Sequence, residues 1–250
     1  MDYLMEKVSV TFLGSGDAFG SGGRYQTCIL VEGPKINCLI DCGASSLIAM
    51  KKYGVSPAAI NTILVTHLHG DHFAGIPFFI LDAQFSRRTA PLTIAGPPGT
   101  EDRLRSTMEV LFSKSSETGQ KYPMNFVELK PSMRSRVGSL RVISENAVHP
   151  SGSPSYALRV ECAGRIIAYS GDTEWTDDLL KIADGADIFI CESFSLDKQI
   201  RYHIDYKSLI KKRPALSCKR MILTHLGEEI LRHLSDIQIE CAEDGMKIDL

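Results

Sequence analysis

Between Ile63 and Pro77 the chain reads ILVTHLHGDHFAGIP, which puts three histidines and one aspartate within six positions directly after a run of apolar strand formers. Histidine is scarce elsewhere: the 250 residues contain seven. Alternate residues of an extended segment point the same way, so His67 and His69 reach one point in space. Gly70 then lets the chain turn, and Asp71 and His72 aim at a second point nearby. A buried strand that stops on such a cluster must end at a sheet edge, where other segments can complete whatever the cluster begins.

The same signature recurs downstream. His149 ends ISENAVHP, Asp172 ends IIAYSGD and His225 ends RMILTH, each a polar residue following a buried strand abruptly. Imidazole and carboxylate without thiolate suit a divalent metal that keeps an open, reactive position, whereas a structural zinc closes its four positions, usually with cysteine. None of the seven cysteines belongs to a CxxC pair; most sit among apolar strand residues, as packed thiols do in a reducing compartment.

Around these points the sequence alternates strands and helices. Strands are expected at KVSVTFLG, TCILVEG, INCLIDCG, INTILVT, PLTIAG, QKYPMNFVELK, GSLRVISENAV, SYALRVEC, RIIAYSGD, ADIFICES, CKRMILTHLG and GMKIDL. Helices are expected at SSLIAMKKYG, capped by Ser45 or Ser46, and at GIPFFILDAQFS, GTEDRLRSTMEVLFSK, TDDLLKIADG, DYKSLIKKRPA and EEILRHLSD. The strands cluster in two halves with helices between them, which points to two packed sheets with helices outside, as one domain over 1–250. A formal charge of −2 gives no global field for a polyanion. The opening MDYLMEKVSV lacks the apolar core and cleavage site of a signal peptide, and no run approaches a membrane span, so a cytoplasmic location without membrane contact is expected.

The motif H-x-H-x-D-H at His67–His72, the opening VTFLGSGDAF, LIDCG near Asp41, TIAGPPG near Gly96, YSGDT and LTHLG, in that order, resemble the ribonuclease Z and phosphodiesterase branch of the metallo-β-lactamase-fold hydrolases. The resemblance covers nearly the full length. It implies an α/β fold, an αββα four-layer sandwich, with two metals at one edge. Carried over, His67, His69 and His149 hold the first metal; Asp71, His72 and His225 hold the second; Asp172 bridges them. Asp71 counts with the catalytic residues, and Asp41 braces the metal loop by hydrogen bonds. His203 lies where the branch has a histidine that assists the leaving group, although HIDYKS departs from the branch's H-S-T context and a lone histidine before a helix also reads as a surface residue. Glu192 falls where the branch carries a glutamate that orients a histidine; a strand-end glutamate reads equally as solvated. His233 is expected on a helix surface.

Such a site holds two divalent ions, zinc first and manganese or iron as alternatives, sharing a hydroxide that attacks the substrate. A small-substrate phosphodiesterase acting on cyclic or terminal phosphodiesters is the leading expectation. A ribonuclease Z-type endonuclease acting on RNA 3′ ends, working as a homodimer without the usual RNA-clamping arm, is the second; a lactonase or other carbonyl hydrolase is the third, and a metal-binding sensor without turnover the fourth. The interval from His149 to Asp172 has room for a hairpin and no arm, and the basic residues of KPSMRSR make only a short run. The glycines of GSGDAFG are spaced one residue too long for a dinucleotide fingerprint, leaving that loop as a candidate donor of backbone N–H groups to a phosphate. Cys42 has no adjacent base and reads as a packed thiol.

Overall fold

Runs that are apolar on both faces form two central sheets. The computed structural model describes residues 7–115, 119 and 121–250. The first sheet has the order β14 (Lys247–Asp249), β1 (Ser9–Gly14), β2 (Cys28–Gly33), β3 (Ile36–Ile40), β4 (Thr62–Leu64), β5 (Leu92–Gly96) and β6 (Met124–Glu128). The second has the order β13 (Glu240–Cys241), β12 (Met221–Thr224), β11 (Ile188–Glu192), β10 (Arg165–Tyr169), β9 (Ser155–Cys162), β8 (Leu140–Ala147) and β7 (Arg134–Val137).

Alternation along each strand decides which core a side chain enters. Ile29 and Val31 of β2 and Ile167 and Tyr169 of β10 face the space between the sheets, where they meet Phe12, Val142 and Leu158. Their neighbours Leu30 and Leu39 pack outward against helices α1 (Ser46–Lys52), α3 (Ile76–Phe85) and α4 (Thr100–Leu111) through Met50, Phe79 and Leu104. On the other side Ala168, Phe189 and Leu223 meet α5 (Asp178–Ala183), α6 (Tyr206–Lys212) and α7 (Glu228–Arg232) through Leu179, Leu209 and Ile230. The result is the αββα sandwich. Each large side chain fully buried this way contributes about 1.5–3 kcal/mol. Among the described residues no helix is long and apolar enough to cross a membrane.

Four details depart from the sequence reading. The chain after His69 does not turn through a freed glycine but coils at once into a short helix, α2 (Gly70–Phe73), with His69 at its N-cap in an extended conformation. Ser45 stands at the start of α1, yet its hydroxyl accepts the Gln26 N–H instead of capping. The basic run around Arg134 is a strand, β7, at the edge of the second sheet, where an exposed outer face hides the period. Most N–H groups of the glycine-dense loop are already engaged within the protein: Ser15 and Tyr25 give theirs to Asp244, Phe19 and Ser21 give theirs to Asp17, and Gly22 gives its own to Glu228. The N–H groups of Gly16, Gly20, Gly23 and Arg24 are taken by backbone carbonyls. Gln120, expected to open the strand before Met124, and the opening segment 1–6 lie outside the described residues.

Candidate metal centre

The strands β8, β10, β11 and β12 all end at one edge of the sandwich, and β4 ends opposite them. His149 follows β8, Asp172 follows β10, Glu192 closes β11 and His225 follows β12 directly. From the first sheet, His67, His69, Asp71 and His72 come off the end of β4 and through α2. The donors fall into two groups: His67, His69 and His149 converge on one side, and Asp71, His72, Asp172 and His225 on the other, with ligand atoms within 4.8 Å of one another in each. Asp172 faces both. Its Oδ2 lies 3.9 Å from His67 Nε2, 3.9 Å from His149 Nε2 and 3.3 Å from His225 Nε2, and its Oδ1 lies 3.3 Å from His72 Nε2.

Each ring is aimed by what holds its other nitrogen. His72 Nδ1 donates to Asp41 at 2.7 Å. The Thr66 hydroxyl donates to the same carboxylate at 2.8 Å, so it accepts from His67 Nδ1 at 3.0 Å and leaves Nε2 with a free lone pair. His149 Nδ1 donates to the Tyr202 carbonyl at 3.0 Å, and its Nε2 lies 2.9 Å from His69 Nδ1. Asp41 is fully buried, accepts the Thr66 N–H as well, and sits at φ 59°; His225 is likewise left-handed at φ 57°. A non-glycine residue in that region carries strain that the surroundings must hold in place.

The donors fit a cation. His67 Nε2, His72 Nε2 and Asp172 Oδ1 are buried without a hydrogen-bond partner, a costly state for a polar atom that a metal ion relieves. His225 Nδ1 is also buried without a partner. Burial alone would lower His72, but Asp172, Asp71 and Asp41 together hold it well above the usual imidazole value, so the carboxylates call for positive charge at that point. Burial lowers His67 well below its usual value, with His72 adding to the effect, and so favours the neutral ring that ligates. Burial would raise Asp71, and His72 and His225 outweigh it.

His203 and Glu192 stand together on the open side. Glu192 is fully buried at the end of β11, not solvated; it accepts the Thr173 N–H, and its Oε2 accepts from His203 Nδ1 at 2.9 Å. Burial would lower His203, but the Glu192 hydrogen bond and charge raise it above the usual imidazole value. Phe194 stacks on the His203 ring at 4.9 Å, and a His203 nitrogen lies within 4.8 Å of ligand atoms of His149 and Asp172. His233 is exposed at the end of α7, with Nδ1 on the Glu229 carbonyl at 2.8 Å. Cys42 is fully buried, and burial pushes its thiol well above the usual value. Sequence reasoning missed Thr66 and Glu174, which act by single side-chain hydrogen bonds, Thr173 and Tyr202, which act through main-chain groups, and Phe194, which acts by packing; none of them leaves a spacing signal.

This arrangement of two sheets, flanking helices and a divided His/Asp cluster at one edge defines a metal-dependent hydrolase of the metallo-β-lactamase fold, of the ribonuclease Z and phosphodiesterase kind. Within it, the profile of the family described as "Anti-Pycsar protein Apyc1" matches residues 8–242, and the chain belongs to that family. Among curated proteins it is similar to a ribonuclease Z of Methanothermobacter thermautotrophicus, 29% identical over 291 residues that cover 94% of this chain and 91% of that one. Human tRNase Z, short form, superposes with a TM-score of 0.79 at 26% identity, covering 96% of this chain and 98% of that one. The metallo-β-lactamase fold protein YhfI from Bacillus subtilis gives the same TM-score of 0.79 at 19% identity, with 98% of this chain and 100% of that one covered.

Proposed function

We propose that this chain is a phosphodiesterase with a dinuclear metal centre, acting on small cyclic or terminal phosphodiesters. Two divalent cations, zinc in the first place and manganese or iron as alternatives, would be held by His67, His69 and His149 and by Asp71, His72 and His225, with Asp172 between them. When bound they supply Lewis acidity for the phosphoryl oxygens and activation of water. The chain does the rest. Asp41, Thr66 and the Tyr202 carbonyl fix three rings so that their ligating nitrogens need no reorganisation. Asp71 and Asp172 place negative charge where the cations sit. Glu192 holds His203 by Nδ1, which leaves Nε2 to give its proton to the departing alkoxide; a positioned acid of this kind contributes about 10²–10⁴-fold.

The observation that carries the reading is the Glu192–His203 pair beside the divided cluster: a braced imidazole whose charged form a carboxylate favours is suited to a poor alkoxide leaving group. Size and charge support a small substrate. Between β9 and β10 the chain makes a two-residue turn at Ala163 and Gly164, both left-handed, and nothing longer intervenes there. The match to the Methanothermobacter ribonuclease Z extends over 291 residues, more than the 250 of this chain, so that relative carries segments without a counterpart here. The names of the relatives favour a second reading, a ribonuclease Z-type endonuclease, which in our reading would act on RNA 3′ ends as a homodimer. A panel of bis-p-nitrophenyl phosphate, small cyclic and linear phosphodiesters, a 3′-extended pre-tRNA and a lactone separates the readings. Turnover of the small phosphodiesters is the expected result; efficient cleavage of the pre-tRNA alone would install the second reading, and turnover of the lactone alone would overturn both.

A further inference from the structure

The run Asp172-Thr173-Glu174 makes three successive contacts. Asp172 faces both donor groups, the Thr173 N–H binds Glu192, and Glu174 Oε1 accepts the Tyr202 N–H at 2.8 Å. Tyr202 is the pivot of the loop before α6. Its backbone is left-handed, φ 71°, a strained conformation that a bulky residue keeps only where its surroundings hold it. Its carbonyl accepts His149 Nδ1 at 3.0 Å, and the next residue is His203, whose own N–H binds the Ile200 carbonyl at 3.2 Å. One peptide plane therefore separates the group that aims a ligand ring from the residue that carries the proton donor. The two rings lie 5.0 Å apart.

We propose that Glu174 is a positioning residue: by holding Tyr202 in its left-handed conformation, it sets His149 and His203 at once, tying metal affinity to proton delivery. The part that concerns His203 rests on the phosphodiesterase reading; the part that concerns His149 does not. Neither the metal cluster nor the Glu192–His203 pair includes Glu174, and its carboxylate acts on the Tyr202 backbone N–H, while its own N–H binds the Val148 carbonyl at 3.3 Å and is kept by either substitution. Glu174 also lines the cavity of about 430 Å³ beside His203 with Trp175 and Arg201, so a direct role on substrate is the competing explanation.

The test compares Glu174→Ala and Glu174→Gln with the unaltered protein in three measurements: zinc affinity by chelator competition, kcat and KM on a phosphodiester with a poor leaving group, and thermal melting. The carboxamide oxygen of Gln still accepts an N–H, so Glu174→Gln should keep most of the zinc affinity and kcat. Glu174→Ala should lose about 10–100-fold in zinc affinity, as loss of the group that orients a ligand does, and kcat should fall by a similar factor with KM little changed. A rise in KM alone would make Glu174 a substrate contact and overturn the proposal. A lower melting temperature with unchanged zinc affinity and kcat would also overturn it, leaving a plain loop brace. If no phosphodiester is turned over by any form, zinc affinity still decides the His149 half, so failure of the functional reading and failure of this one remain distinct.

Discussion

The first sheet delivers His67, His69, Asp71 and His72 to the edge within six consecutive positions, whereas the second delivers His149, Asp172, Glu192 and His225 one per strand. The block from the first sheet leans on one carboxylate: Asp41 binds His72 directly and His67 through Thr66. The scattered donors of the second sheet lean on loops instead, the Tyr202 carbonyl for His149 and the Thr173 N–H for Glu192. A compact block is easily made rigid by one buried anchor. Side chains spread over four strand ends, three metal donors and the carboxylate that holds His203, inherit their precision from the sheet register.

That contrast can be broken most severely at Asp172, the second-sheet residue that faces both groups. Asp172→Ala should deplete both metals and lower turnover by about 1,000-fold or more, since several kcal/mol of charge stabilisation are at stake, while His69→Ala should deplete one. Elemental analysis of the two variants checks this; equal depletion would mean that Asp172 serves a single group. Next in size is His203→Ala. Metal content should stay, and kcat should fall about 10²–10⁴-fold on alkyl phosphodiesters but far less on bis-p-nitrophenyl phosphate, whose leaving group needs no proton. Unchanged turnover on the alkyl substrate would remove the donor role.

Asp41→Asn sharpens the anchor side of the comparison. Asparagine tolerates the left-handed backbone at this position, so the change isolates the charge and the acceptor. Metal affinity should drop about 10–100-fold, most in the group whose His72 Asp41 binds directly and less in the group whose His67 it holds through Thr66; an unchanged affinity in the His72 group, read by titration of metal into stripped protein, would deny the anchor. The smallest effect lies away from the edge. Asp187, beside β11, accepts the Ile166 N–H at 2.8 Å and pairs with Lys219 at 2.7 Å and Arg165 at 3.4 Å. Burial would raise it, but these partners hold its carboxyl below the usual range. Its contribution is therefore full above the unfolded carboxylate pKa near 4 and is lost as pH falls through the lower folded value. Asp187→Asn should cost about 1 kcal/mol at pH 7, with the difference closing in acid, as denaturant melts at both pH values would show.

The block was readable because its spacing is itself the signal, and the later donors because each interrupts a buried strand. Strands of both sheets stood out as apolar runs, since Ile29, Leu30 and Val31 all find a core, whichever way they point. The sequence hid what acts across space without a period: β7, whose Arg134 and Arg136 leave no alternation, and which histidine Glu192 orients, His203 across a loop. It hid Glu174 and Tyr202 more completely, because a backbone N–H and a carbonyl belong to every residue.

That distant strand ends grip two cations which the reaction requires is our proposal. It is tested most directly by elemental analysis of the purified protein paired with phosphodiester turnover before and after exhaustive chelation. Two divalent ions per chain, turnover abolished by chelation, and its return when zinc is restored are the expected results. Full turnover by a protein stripped of metal would contradict it.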